Sequence, residues 1–253
     1  MMKIKINRTM AIIIFLAVIM ALLGIYGAWQ FGAAEVREVR YRHLQQGLRS
    51  ADAVADDGAA VAAYKKLRPA LPEIQLRILQ RQWRIALELL QYMQRAGSNA
   101  ELQNEAGVYG TRLKSLLDEM LDRCAGLLAD TASLRPDMVW QIYNAAGSAK
   151  LLNAFVMLEK GENADKVQGV VRDALTDYKA AIDAADKSGA PPFQRNIPRW
   201  NFELLNGEEY VKKIEAAMTD MEKNQALKEN LETVLPEMGG YAPGEPIETK
   251  VKK

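Results

Sequence analysis

Histidine and cysteine are almost missing from this chain of 253 residues, which has one of each, His43 and Cys124. One cysteine cannot close an internal disulfide, and one histidine cannot build a Cys/His zinc cluster. A nucleophile at Cys124 would also need a base and an orienting group, and the only imidazole lies far from it in sequence. Charge of one sign is lacking too: 33 Lys plus Arg face 32 Asp plus Glu, for a net charge of +1. That balance excludes the basic stripe of a nucleic-acid binder. Asp52 could open a calcium loop only if glycine stood sixth and glutamate twelfth, but those positions hold Asp57 and Ala63. No glycine-rich phosphate loop is present either. The expectation is a non-enzyme without metal or cofactor.

Long apolar runs are absent with one exception. Thr9 to Ala34 has no charged side chain and is bounded by Arg8 and Glu35. It exceeds the roughly 20 apolar residues needed to cross a bilayer core. Ile12, Phe15, Leu22 and Trp29 stand for its lipid-facing and interfacial side chains, with Trp29 and Tyr26 at the far end where amphipathic rings favour headgroups. Lys3, Lys5 and Arg8 precede it without an acid, the arrangement of a signal anchor with residues 1–8 inside. Gly32-Ala33-Ala34 leaves a cleaved secretory signal as the alternative. The expected place is a bacterial inner membrane, crossed once, with the carboxy-terminal body in the periplasm.

After the run, residues 35–58 read as a stalk and linker, EVREVRYRHLQQGLRS and then the break Asp56-Asp57-Gly58. Residues 59–235 follow as a soluble body in which every apolar repeat is helical. A short helix from Ala59 to Leu67 stops before Pro69 and Pro72. Pro72 then opens a longer one, where Leu76, Leu79, Trp83, Ala86, Leu90 and Met93 recur at three and four up to Gly97. From about Asn99 to Ala129 a second stripe answers it, predicting an antiparallel hairpin. Asp118, Glu119 and Asp122 of that helix read as its solvated face, and Cys124 as a buried structural thiol. Ser133 to Asp137 supplies a cap and a proline for a helix to about Lys160. Asn163 caps another. Lys187 to Ile197 reads as a loop, and Pro198 restarts a helix toward Leu235, with a break at Gly207 allowed. A subdivision near 131–136 stays open. Residues 236–253, rich in Gly, Pro and charge, read as a disordered tail. The fold class is all-α: a single transmembrane helix, then a helical-hairpin bundle or a degenerate tetratricopeptide-like array. Ala174, Tyr178 and Ala181 have the spacing of such a unit's second helix, but no clean 34-residue period exists.

One junction carries a resemblance. From Asp173 to Leu205 an alanine-rich amphipathic helix, a short loop and Arg-x-Asn-apolar-Glu follow one another, with Arg199, Asn201, Phe202, Glu203 and Leu204 at the matching positions. With the amino-terminal anchor and helical body, the chain resembles the MxaK-like accessory proteins of methanol-dehydrogenase maturation. Those are encoded beside MoxR-type AAA+ ATPases and von Willebrand factor A proteins. The resemblance implies protein partners of those two kinds and a role in calcium insertion into methanol dehydrogenase. By their own spacing, Arg199 and Glu203 share a face and either pair or reach the preceding loop, while Trp200 and Leu204 turn to a neighbouring face. Arg199, Trp200, Asn201 and Glu203 are thus either a clamp between helices or a partner-docking surface. The reading is a membrane-anchored scaffold that binds proteins. A membrane-anchored helical sensor or an envelope-assembly adaptor is the alternative.

Overall fold

The computed structural model describes residues 39–67, 71–97, 102–206 and 220–238. The run from Thr9 to Ala34, with Ile12, Phe15, Leu22 and Trp29, lies outside them, as do residues 239–253 of the expected tail. The first three residues of that tail, 236–238, are helical instead of disordered. Among the described residues the fold is all-α, without a strand, and no helix is long and apolar enough to cross a membrane. The chain separates into two compact units, Met1–Ala53 and Val54–Lys253. In the first, helix α1 covers residues 39–52 and carries His43 exposed.

The second unit begins where Asp56 caps α2 (Asp57–Lys65), its carboxylate accepting from the Ala59 N–H at 2.6 Å. The break expected at Asp56-Asp57-Gly58 is therefore also a helix start. Pro72 opens α3 (Pro72–Gly97), and α4 (Gln103–Leu128) follows. A 3-10 turn (Thr131–Ser133) leads into α5 (Pro136–Glu159), with Pro136 in its first turn and no side-chain cap from Arg135. The Ser133 hydroxyl serves the turn instead, donating to the Asp130 carbonyl. Asn163 caps α6 (Ala164–Lys187) as its residue type predicts, its side chain accepting from the Asp165 N–H at 2.8 Å. Then come α7 (Pro192–Leu205) and α8 (Asp220–Met238).

Consecutive helices pack as neighbours from α2 to α7, and α8 returns against α5, α6 and α7. Residues near opposite ends meet across α3 and α4: Met93 faces Gly110, and Gln75 accepts from Arg123. That order is the antiparallel hairpin expected. Between α5 and α6 the turn is closed by Gly161 at φ 72°, with Gly161 N–H donating to Leu158 and Glu162 N–H to Met157. These two bonds form a Schellman motif, which favours glycine at its left-handed position.

The centre of the unit is α5. Ile142, Ala146, Ala149, Leu151, Leu152, Ala154, Phe155 and Val156 are buried around its whole circumference. A helix that buries side chains on every face must be enclosed. One core joins it to Leu113, Leu117 and Met120 of α4, to Val167, Ala174 and Tyr178 of α6, and to Leu227 and Leu231 of α8. Each large aliphatic side chain fully buried there contributes roughly 1.5–3 kcal/mol. This core runs unbroken through the 131–136 connection.

Two sequence expectations need correction here. The loop drawn from Lys187 to Ile197 is only residues 188–191, because α7 starts at Pro192. Pro191 is extended and accepts from the N–H groups of Gln194 and Arg195 at 2.9 and 3.1 Å, so the first turn is already formed. Pro198 then sits inside the helix, where its ring lacks the donor for the carbonyl four residues back. Ile197 and Pro198 are both buried, and this packing holds the turn together. Second, Glu119 is not simply part of a solvated face. It accepts from Lys65 at 3.0 Å and from Arg123 at 2.8 Å, tying α2 to α4. Partial burial opposes its charge, yet these two cations hold its pKa below the usual carboxylate value.

Candidate functional site: helix α7 and the cleft behind it

The junction residues separate by the geometry of α7. Phe193, Asn196, Arg199, Trp200 and Glu203 all lie on its exposed side. Phe193 is 58% and Trp200 43% exposed, although seven residues apart they share one stripe. Ile197, Asn201 and Leu205 face inward. The same 3.6-residue period that aligned the motif in sequence therefore splits it in space.

Arg199 does not pair with Glu203. Its guanidinium donates to both carboxylate oxygens of Asp186, at 2.9 and 2.7 Å, in the last turn of α6. Both partners are well exposed, so this clasp is worth only about 0.2–1 kcal/mol. Trp200 and Leu204 part company: Trp200 stays largely exposed, whereas Leu204 packs against the core. Phe202 lies under Lys179 of α6, with the ammonium 5.5 Å from the ring centroid.

Asn201 takes a different role. Only 2% exposed, it donates through Nδ2 to the Asn144 Oδ1 of α5 at 2.9 Å. Its own Oδ1 is buried without a hydrogen-bond partner. Asn144 belongs to a polar stripe on α5, with Gln141 and Ser148 at helical spacing, and Ser148 bonds the Tyr178 hydroxyl at 3.0 Å. These side chains form one wall of a cleft. The opposite wall comes from Leu76, Leu79 and Trp83 of α3 and Met120 of α4, and is apolar apart from the Gln80 carboxamide of α3. The cleft holds about 440 Å³ of empty space, its open mouth included. No ionisable side chain lines it.

The titratable groups nearby are structural. Burial, with Asp177 adding to it, pushes the Cys124 thiol from about 9.0 up to about 12, so it is protonated and unreactive at neutral pH. Burial also raises Asp177, against the opposing pull of Lys150 at 2.7 Å. The Tyr178 phenol is raised by complete burial. Among the described residues no group of three His, Cys, Asp or Glu side chains is placed to hold a metal ion.

Sequence reasoning named Asn201 and used Trp83 only as part of an apolar stripe. It passed over Gln141, Asn144 and Ser148. Their signal was present: the three stand at positions i, i+3 and i+7, on one face of a helix rich in apolar residues. No protein-family model, no curated protein and no solved structure matches this chain.

Proposed function

We propose that this chain is a non-catalytic adaptor, anchored in a bacterial inner membrane by Thr9 to Ala34, whose helical body holds partner proteins on the periplasmic side. The anchor confines the body to the membrane plane and raises its effective concentration toward partners there. The observation that carries the reading is the outer side of α7. Two large aromatic side chains, Phe193 and Trp200, stand in one exposed stripe beside Arg199 and Glu203. Aromatic residues and arginine supply most binding hot spots. An aromatic stripe rimmed by charges suits a protein surface better than a small substrate. The resemblance to MxaK-like proteins names the partners: von Willebrand factor A proteins and a MoxR-type AAA+ ATPase, with calcium insertion into methanol dehydrogenase as the task. The successive hairpins are compatible with a degenerate tetratricopeptide-like array, and α8 folding back on three helices is compatible with a bundle.

The test is gentle detergent extraction of the tagged full chain from its native membrane, with co-purifying proteins identified by mass spectrometry. Recovery of the two expected classes, reduced at least tenfold by Trp200→Ala with the fold intact, supports the reading. A solitary protein, or a chain found entirely in soluble fractions, defeats it.

A further inference from the structure

The cleft behind α7 has a chemistry of its own, separate from the exposed stripe. A buried carboxamide oxygen without a donor is costly, and a molecule that supplies the donor removes that cost. Asn201 Oδ1 is such an atom, and the Asn201 Nδ2 bond to Asn144 holds the carboxamide in place. Trp83, Leu79 and Met120 on the facing wall offer an apolar seat, with the uncharged Gln80 carboxamide beside them. Because no charged side chain lines the cleft, nothing there would offset the desolvation of a charged ligand.

We propose that this cleft binds an uncharged amide carried by a peptide segment, with Asn201 Oδ1 accepting its N–H and the apolar wall taking an adjacent aliphatic side chain. The peptide group supplies both needs at once. It is a neutral donor, and its side chain stands within reach of the same wall. Asn201 is thereby a binding residue and not merely a strut to α5. The proposal does not depend on which protein occupies the outer stripe, since Trp200 is not among the residues that line the cleft.

The experiment is a titration of the full chain in detergent micelles, nitrogen-15 labelled, with N-acetyl-leucine-N-methylamide. The side-chain carboxamide signals of Asn144 and Asn201 and the indole N–H of Trp83 report binding. Saturable shifts at these three groups are expected. Asn201→Leu weakens the affinity about fivefold or more, and Ala145→Leu, at a half-buried position on the cleft wall, blocks it. Helical content by circular dichroism checks that each variant is folded. Absence of saturable shifts in the unsubstituted chain overturns the proposal and leaves water as the occupant. Equal affinity for N-acetyl-leucine, which bears a carboxylate, overturns the requirement for a neutral ligand. Equal affinity for N-methylacetamide shows that a free small amide suffices and overturns the peptide assignment.

Discussion

The α3–α4 and α5–α6 hairpins are each drawn together at a glycine, and the two glycines have different neighbours. On Gly110 of α4, a Cβ would lie 3.3 Å from the Sδ of Met93. On Gly147 of α5, it would lie 3.0 Å from Cε1 and Cζ of Tyr178 and 3.2 Å from the Ala174 carbonyl oxygen. A methionine has three rotatable bonds and moves aside. The Tyr178 ring is fully buried with its hydroxyl held by Ser148, and a backbone carbonyl on a packed helix does not yield. The same residue type thus marks a soft contact in one hairpin and a hard one in the other. Close packing makes the central pair, not the peripheral one, the rigid frame on which α7 and the cleft are placed.

The largest effect should come from breaking the hard contact. Gly147→Leu forces a branched side chain between α5 and α6 and should cost about 3 kcal/mol, the upper part of the range for overpacking. Urea unfolding followed by circular dichroism measures it, and a loss below about 1 kcal/mol would mean the helices separate easily. The next effect probes the core where α4 meets α5. Since the folded Cys124 thiol titrates near 12 and the unfolded one near 9, the unfolded chain releases this proton first as pH rises. The stability from this group is complete below pH 9.0 and is lost as pH climbs toward 12. Unfolding free energy should therefore fall between pH 8 and 10 by about 1 kcal/mol more than in Cys124→Ala. Identical slopes would show that the thiol meets water. The smallest effect belongs to the soft contact. Gly110→Ala should stabilise by about 0.5 kcal/mol, because alanine suits a helix interior better than glycine and Met93 can shift. A clear destabilisation would make the two crossings alike after all.

Legibility followed the same division between local pattern and distant neighbour. The stripe from Leu76 to Met93 was readable because an apolar residue every three or four positions needs only its own helix to explain it. Asn163 and Pro72 were readable for a similar reason, since caps and first-turn prolines act within one turn. The start of α7 was not. Pro192 and Pro198 are six apart, and each looks like a helix opener. Only the burial of Ile197 and Pro198 selects the earlier one. Glu119 was misread because Lys65 is 54 residues away. Part of the candidate site was visible: Arg199, Trp200, Asn201 and Glu203 stand out in the sequence, whereas Phe193 fell in the expected loop and the partner of Asn201 is 57 residues distant on α5.

The sequence by itself determined an all-helical body, most of its helix boundaries, the buried thiol and a run of residues long and apolar enough for a membrane anchor. These follow from periodicity and composition, which act over a few residues. Tertiary structure alone decided that α5 lies at the centre, that Arg199 clasps Asp186, and that Trp200 faces out while its neighbour Asn201 faces a cleft. One helical step of about 100° separates those two side chains. Which of them is covered depends on where α3, α5 and α6 stand, and that placement is set by packing between residues far apart in the chain.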